Sequence, residues 1–306
     1  MYSFFFNITN QGYKTTKVYT KDRDYITRVD ISNGLVFFDI LLTNHEEIIY
    51  QINNLDRMVV MSVVKSGIFQ IIDNRSKKVY YSKRDSSDIY CSARQDFELI
   101  LKKSNKTDIF ILFIADFFFK RYLSLNKNEP IDFLYDKIQD ELSLELINSQ
   151  PTDALTIYLI DKIISIKDRN YLNSIIGEHS VIEFMIHRLS ILDMIDESID
   201  KDDRYIAIKA KKHLLKNFVN PPTIQTLAHL CATNESKLKI VFKKVYKLTT
   251  YRYVQKLRLE EANLLLKEQM LTIGEIAKKV GYRHQGHFSN LFFKTYGVYP
   301  KDLLKK

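Results

Sequence analysis

Two histidines near the C-terminus, His284 and His287, have the H-x-x-H spacing that can hold a metal ion. Three residues make almost one helical turn, so both imidazole rings could lie on the same face of a helix. A metal site needs further ligands, and no Cys, Asp or Glu occurs between Glu275 and Asp302. The sequence therefore predicts no metal here, and instead predicts a helix-start or phosphate-facing role for His284 and a packing or backbone contact for His287.

Residues with catalytic spacing are also missing from the rest of the sequence. We find no Ser/His/Asp arrangement, no G-x-S-x-G motif and no glycine-rich phosphate loop. Cys91 and Cys231 are 140 positions apart, which gives neither a disulfide framework nor a paired-thiolate metal site. A cupin-type metal enzyme needs clustered histidines, and His45 is the single one in residues 1–130. We therefore expect no enzymatic activity, no cofactor and two buried, reduced thiols.

The net charge of +9 is distributed unevenly along the 306 residues. Residues 201–306 contain 22 Lys and Arg against 8 Asp and Glu, a charge of +14, which leaves −5 for residues 1–200. This separation indicates a C-terminal module that meets a polyanion and an N-terminal part that does not. The richest apolar run, 109–119, is too short to span a membrane, and the N-terminus lacks a signal-peptide pattern, so we expect a cytoplasmic protein.

The basic third contains an internal repeat. LAHLCATNESKLKIVFKKVY (227–246) aligns with IAKKVGYRHQGHFSNLFFKTY (276–296). Each copy has the pattern of a short helix, a tight turn and a longer helix, which predicts two helix-turn-helix units at about 223–247 and 272–297. Gly281 suits the turn of the second copy, whereas Ala232 in the first must either adopt that turn with some strain or shift it.

The second helix of each copy has apolar residues four apart, which should anchor it in the core, and polar residues between them, which should face outward. The outward positions are Ser236, Lys239, Lys243 and Lys244 in the first copy and Gln285, Gly286, Ser289, Asn290 and Lys294 in the second. Lys can donate to guanine, Gln and Asn can pair with adenine, and Ser can do either, while helix N-termini hold phosphates. We predict that these positions contact DNA.

The first 130 residues have the pattern of short β-strands. Segments 34–43, 58–67, 67–73, 77–83 and 97–103 are rich in β-branched or aromatic residues, and DNRSKK (73–78) predicts a hairpin. This succession favours a small antiparallel sandwich or barrel. Residues that could line a ligand cavity are Phe37, Phe38, Tyr80, Tyr81, Tyr90 and Arg94. Because aromatic residues are more often core, the sequence leaves the ligand residues unassigned.

Beyond Pro130 the apolar spacing becomes helical, with recurrences at 131, 134, 135, 138 and 142, a second run from 155 and a third from 181. Such stripes are either core or the pairing surface of a homodimer. The acidic ESIDKDD (197–203) is our predicted boundary. The predicted domains are 1–130, a β-rich sensor; 131–200, a helical linker with candidate dimerisation helices; and 201–306, a DNA-binding domain.

The C-terminal motifs resemble the AraC/XylS family of bacterial transcription regulators. IGEIAKKVGYRHQGHFSNLFFKTYGVYP (273–300) looks like that family's second helix-turn-helix with its closing G-x-x-P, and RLEEANLLL (258–266) looks like its joining helix. The resemblance covers about a third of the chain and implies promoter DNA and RNA polymerase as partners. It also implies a cupin-like antiparallel β-barrel at the N-terminus that senses a ligand or mediates dimerisation, and thus an α+β multidomain fold with an all-α C-terminal domain.

A narrower similarity links residues 234–266 to the siderophore regulators typified by PchR, which implies a siderophore-type effector. The chain departs from the family pattern at Ala232, which replaces a turn glycine. It also departs at Gly286 and Phe293, which leave fewer polar side chains on the outward face of the second unit's longer helix. We therefore expect the first unit to carry more of the specificity. Two alternatives to a ligand-responsive activator stay open: a DNA-architectural protein without an effector, and, less favoured, a cupin-type metal enzyme.

Overall fold

The computed structural model describes residues 2–5, 12–124, 129–140, 144–166, 172–192 and 199–304. Its contacts divide the chain into two compact units. The N-terminal unit comprises Met1–Thr152 and Leu159–Leu192, and the C-terminal unit comprises Asp153–Tyr158 and Asp193–Lys306. The domain limits predicted from the sequence stay a prediction, and positions 197–198 of the predicted boundary lie outside the described residues.

The N-terminal unit is built mainly of strands. They are β1 (Tyr2–Phe5), β2 (Lys14–Lys21), β3 (Asp24–Ser32), β4 (Leu35–His45), β5 (Ile48–Ser66), β6 (Ile68–Asp73), β7 (Val79–Lys83), β8 (Ser86–Leu101), β9 (Ser104–Ala115) and β10 (Glu145–Pro151). The predicted segments fall within β4 to β8, and the predicted hairpin joins β6 to β7 in antiparallel register. At its turn the Asp73 carboxylate accepts hydrogen bonds from the backbone N–H of Arg75 and Ser76.

Two long strands, β5 and β8, pair along most of their length and belong to two sheets at once. The later part of β5 pairs with β9, and the ladder continues through β4 and β3 to β2. The early part of β5 pairs with β1, while the later part of β8 pairs with β6 and the earlier part with β10. The register of β5 against β8 shifts between Asn53 and Leu55, where an irregularity allows the strands to bend from one sheet into the other.

The prediction of a β-rich N-terminal domain with a helical C-terminal domain is confirmed, but the predicted barrel is open. Among the described residues the ladder runs from β2 to β7 without closing, and β1 pairs with β5 in parallel. β2 has almost no buried side chain and β7 buries only Ser82. Each edge strand therefore contributes little to the buried core, although Val18 of β2 and Tyr80 of β7 pack against it.

The core of this unit lies between the bent sheets, and a helical layer covers one outer face. β9 is buried along Ile109–Ala115, which explains why this stretch of sequence is continuously apolar instead of alternating. Phe110 of β9 packs edge-on against Phe184, with ring centroids 5.9 Å apart. Gly177 lies against Ile31: a Cβ added to this glycine would be 2.6 Å from the isoleucine Cγ2. The helix that carries Gly177 and Phe184 (173–190) therefore approaches β3 closely.

The α-helices described in the first 192 residues are α1 (Asp116–Phe119), α2 (Pro130–Asp140), α3 (Ala154–Ile164) and α4 (Asn173–Ser190). α2, α3 and α4 overlap the three predicted apolar runs, but α4 begins eight residues before the run that starts at 181, and α1 matches none of them. α3 begins directly after Asp153, whose carboxylate accepts a hydrogen bond of 2.7 Å from Thr156 N. The predicted apolar position 142 lies outside the described residues.

The C-terminal unit is helical throughout its described residues from 199 onward. Its helices are α5 (Lys201–Asn217), α6 (Ile224–Leu230), α7 (Glu235–Tyr246), α8 (Thr250–Glu268), α9 (Ile273–Lys279), α10 (Gln285–Tyr296) and α11 (Pro300–Leu303). Among the helices that the structure describes, none is both long and apolar enough to cross a membrane.

Candidate nucleic-acid interface

The first helix-turn-helix unit consists of α6 and α7, as the repeat predicted. α6 begins at Thr223, whose hydroxyl accepts from Thr226 N at 3.2 Å. α7 begins at Asn234, whose side-chain oxygen accepts from Lys237 N at 2.8 Å. Both caps satisfy backbone donors that the helix leaves unpaired, so the two helix starts are fixed by local sequence.

The second unit consists of α9 and α10 and is separated from the first by α8. α9 begins with a capping box, in which Thr272 accepts from Glu275 N and the Glu275 carboxylate accepts from Thr272 N at 2.8 Å. These hydrogen bonds lower the pKa of the Glu275 carboxyl. α10 begins after His284, which makes no side-chain cap, so its N-terminal N–H groups are left for an external partner.

The turns of the two units have the same hydrogen bonds. Ala228 O accepts from Thr233 N at 3.0 Å, and Ala277 O accepts from Tyr282 N at 2.8 Å. Ala232 has a φ of 54° and Gly281 a φ of 96°, so both occupy the left-handed region. The alanine therefore adopts the turn and does not shift it. The glycine is required for space as well, because an added Cβ would lie 2.6 Å from Val219 O.

The second helix of each unit, α7 in the first and α10 in the second, is its recognition helix. Each recognition helix is anchored by two fully buried apolar residues. Leu238 and Phe242 of α7 lie in a cluster with residues of α5, α6 and α8. In α10, Phe288 and Phe292 pack edge to face with centroids 5.7 Å apart. This burial fixes which side of each helix faces outward, because residues three and four positions apart share a face.

On α7 the outward arc contains Ser236, Lys239 and Lys243, all exposed. Lys239 Nζ lies 3.4 Å from the Glu235 carboxylate one turn earlier, which holds the side chain along the helix surface. Lys244 lies on another side of α7, where its Nζ is 3.8 Å from Asp203 of α5. Its predicted DNA contact stays a prediction, although it points away from the centre of this arc.

On α10 the outward positions are occupied less uniformly. Gln285, Gly286, Asn290 and Lys294 are exposed, whereas Ser289 is half-buried. Gln285 folds back toward α9, since a Cβ at Gly274 would lie 3.1 Å from its Oε1. The neighbouring aromatic Phe293 stacks on Tyr299 with centroids 4.4 Å apart.

His284 and His287, the two histidines with metal-ligand spacing, lie at the N-terminus of α10. His284 is the residue before the helix, as predicted, and is exposed. His287 is exposed too, and its ring lies 5.7 Å from that of Tyr282. Within the described residues no group of three or more potential metal ligands is found. The pair is positioned at a helix start on the same side as the recognition residues.

Sequence reasoning missed two features of this region. Arg258 of α8 donates to Phe218 O at 2.9 Å and to Val219 O at 2.8 Å, and its guanidinium lies 5.3 Å from the Tyr282 ring centroid. It thereby ties the segment before α6 to the turn of the second unit. Burial raises the pKa of Tyr282 to about 12. The other missed residue is Ile240, which lies on the outward arc of α7. Its position four residues after Ser236 could have indicated this from the sequence.

The aromatic residues considered as ligand contacts have three different environments. Phe37 and Tyr90 are fully buried core residues, and Phe38 lines a 30 Å³ apolar cavity. Tyr80 is half-buried and its hydroxyl donates to Leu144 O, while Tyr81 is 58% exposed. The side chain of Arg94 lies outside the described residues. Core packing thus accounts for two of these residues, and Phe38 remains the one that borders a cavity.

A larger cleft of 870 Å³ opens beside that cavity and shares Ile26 and Tyr50 with it. His45 Nε2 lies 2.7 Å from the Thr107 hydroxyl, which orients the imidazole ring. The charged residues of the lining are of both signs: Lys21, Arg23, Asp22, Asp24 and Glu47. The cleft therefore combines apolar residues with cationic, anionic and hydrogen-bonding groups.

Comparison with known proteins identifies the C-terminal fold. A family model described as a helix-turn-helix domain matches residues 227–306. AlkR, an HTH-type transcriptional regulator of Acinetobacter baylyi, is 37% identical over 81 residues, which are 26% of this chain and 26% of AlkR. An uncharacterised HTH-type transcriptional regulator of Haemophilus influenzae is 24% identical over 250 residues, or 79% of each chain. The structure of ToxT from Vibrio cholerae aligns over 89% of this chain and 98% of its own, at 17% identity and a TM-score of 0.31.

The duplicated fold and these matches define a class: the C-terminal unit is the DNA-binding helix-turn-helix domain of a transcription regulator. The narrower assignment to the AraC/XylS family, which the motifs suggest, stays a prediction. The prediction of a DNA-binding regulator is confirmed at this level. The siderophore-regulator subgroup stays a prediction.

Proposed function

We propose that this protein is a ligand-responsive transcription regulator that reads two successive major-groove segments of promoter DNA with α7 and α10. The observation that carries the proposal is the duplication of one helix-turn-helix geometry on a segment of charge +14. A single solvated helix face would account for any one lysine or asparagine. It would not account for two matched units whose outward arcs are both mainly polar or cationic.

Base contacts follow from the chemistry of the outward side chains. Lys239 and Lys243 can donate to guanine O6 and N7, and Asn290 can pair with adenine N6 and N7. Gln285 could do the same after swinging away from α9. The uncapped start of α10 suits a backbone phosphate, and Lys294 would add a phosphate contact beyond the base-reading positions.

The first unit is expected to contribute more of the specificity. Its outward arc carries flexible cationic side chains, whereas in the second unit Gly286 has no side chain and Phe293 is engaged by Tyr299. A phenyl ring has no hydrogen-bonding group, so Phe293 offers none to a base edge or a phosphate. The second unit then serves chiefly to position the protein on the DNA, in agreement with the presence of Gly286 and Phe293 in its sequence.

The effector is proposed to occupy the 870 Å³ cleft of the N-terminal unit. The 30 Å³ interior cavity is too small for a ligand, so an effector would have to enter between β3, β4 and β5 near Ile26 and Tyr50. The lining carries charges of both signs, so charge alone does not select the effector. The proposal of a siderophore-type effector rests on the sequence similarity alone.

We further propose that the protein forms a homodimer through α4. Leu172, Ile175, His179, Ile182 and Ile186 follow the 3-4-3-4 spacing of a coiled-coil seam, and all but the half-buried Ile182 are exposed. A continuous stripe of this kind differs from the single, scattered apolar residues that are normal on a protein surface. RNA polymerase is the further partner expected of an activator, which would act in the cytoplasm where promoter DNA is found.

The proposed function is tested by binding of the full chain to duplexes selected from a random-sequence library. A regulator should bind a selected duplex in excess competitor DNA, and its affinity should fall by orders of magnitude between about 50 and 200 mM salt. Substituting Lys239→Ala should reduce discrimination by roughly 1 to 3 kcal/mol at one base position. The matched control is Lys212→Ala, an exposed lysine on α5 outside both units.

Two outcomes of this experiment would contradict parts of the proposal. Equal affinity for all duplexes would favour the architectural-protein alternative over a specific regulator. A loss on Lys239→Ala that is uniform across sequences would make that residue a phosphate contact. The metal-enzyme alternative has less support, because the relatives are transcription regulators, and the expected lack of enzymatic activity stays a prediction.

A further inference from the structure

Ile240 differs from its neighbours on the outward arc of α7 because it is apolar and 68% exposed. It lies four residues after Ser236 and three before Lys243, so it shares the exposed face of α7 with them. One exposed isoleucine on a protein surface is ordinary. Its location among base-reading positions, and not its exposure, is what requires an explanation.

The internal repeat gives Ile240 a counterpart in the second unit. When the buried Phe242 is aligned with Phe292, Ile240 corresponds to Asn290, which is exposed on α10. The amide of Asn290 can pair with adenine, whereas the side chain of Ile240 offers only carbon. The major-groove floor presents one apolar group, the C5 methyl of thymine, and aliphatic side chains pair with it.

We propose that Ile240 is a specificity-determining residue that reads a thymine through contact with its C5 methyl group. The inference rests on the proposed function, since it requires α7 to lie in the major groove. Lys239 and Lys243 on either side supply the cationic contacts that bring the helix against DNA. The β-branched side chain is stiff at χ1, so it is presented to the base with little freedom to lose.

Removal of a single methyl group from the DNA tests this directly. In a duplex selected by the full chain, each thymine is replaced in turn by uracil, which keeps the base pair and deletes only the methyl. We expect the wild-type chain to lose about three- to tenfold in affinity at one thymine. The Ile240→Ala variant should bind the thymine duplex more weakly and should show no further loss with uracil at that position.

Two further variants sharpen the result. Ile240→Asn reproduces the residue of the second unit and should shift the preferred base at that position from thymine to adenine. Ile208→Ala removes an exposed isoleucine from α5, outside both outward arcs, and should keep the wild-type sensitivity to uracil. Thermal melting of each variant confirms that folding is unchanged, which we expect at exposed positions.

The failures of this inference and of the proposed function are distinguishable. Sequence-specific binding that is insensitive to uracil at every thymine overturns the inference and leaves the proposed function standing. The same holds if Ile240→Ala keeps the uracil sensitivity or if Ile240→Asn keeps the thymine preference. Equal binding of the wild-type chain to all duplexes overturns both.

Discussion

At the scale of single residues, residue type gives a chemical capacity and the surroundings decide whether it is used. Lys239 and Lys244 are both exposed lysines of α7, yet the first lies on the outward arc and the second lies near Asp203. His284 and His287 have metal-ligand spacing, but their neighbours are a helix start and the Tyr282 ring. Spacing along the chain could not distinguish the two lysines, because the contact that separates them is with another helix, whereas the lack of further ligands near the histidines was already visible in the sequence.

Asp39 on β4 is a residue whose surroundings predict a pH effect. It is 7% exposed, and burial raises the pKa of its carboxyl to about 6, against the lowering effects of a hydrogen bond from Tyr25 and the charge of Lys65. The folded state therefore binds more protons than the unfolded state between about pH 4 and 6. Stability contributed by this residue falls as the pH rises through that window and stays low above it.

We expect Asp39→Asn to be more stable than the wild type at pH 7.5 by up to about 2 to 3 kcal/mol, since the amide keeps an acceptor for Tyr25 without a buried charge. The advantage should shrink as the pH falls from 6 to 4. Urea unfolding at several pH values measures it, with Asp22→Asn at an exposed turn as the control for loss of one carboxylate. An advantage that does not change with pH would contradict the assignment.

At the scale of secondary structure, the helices were predictable and the strands only in part. Thr223, Asn234 and Thr272 cap three of the helix starts with side-chain oxygens that accept backbone hydrogen bonds, as is typical of these residue types. β5 and β8 were predicted as shorter segments, because their bend and their pairing with two sheets depend on strands distant in sequence. β10 was missed for the same reason: its polar sequence becomes a strand by pairing with β8.

The turns of the two helix-turn-helix units allow a matched test of backbone strain. Ala232→Gly should raise the free energy of unfolding by up to about 1 kcal/mol, because relief of left-handed strain is partly offset by the entropy of the unfolded glycine. Gly281→Ala should lower it by about 2 to 4 kcal/mol, since strain is added to the collision with Val219 O. Urea unfolding followed by circular dichroism gives both free energies of unfolding. A change of the same sign for the two substitutions would contradict this account of the turns.

At the scale of the whole molecule, the seam on α4 predicts assembly. The double variant Ile175→Glu with Ile186→Glu should dissociate the proposed homodimer, because it places like charges on an apolar interface. Sedimentation velocity of the full chain over a range of concentrations measures the change. Ile208→Glu, on α5 of the C-terminal unit, is the control and should remain dimeric. A wild-type chain that is monomeric at every concentration would rule the seam out as a pairing surface.

The sequence by itself determined the class of the C-terminal domain, its charge and the existence of its two units. These follow from local signals: periodicity, caps, a turn glycine and a repeat that can be aligned residue by residue. The tertiary structure decided which positions share an outward arc, that Ala232 adopts the glycine turn, and that Ile240 belongs with the base-reading residues. It also decided that the N-terminal sheet is open and that its interior is filled. Such properties arise from packing between distant segments, where the energy of each contact depends on neighbours that the local sequence does not specify.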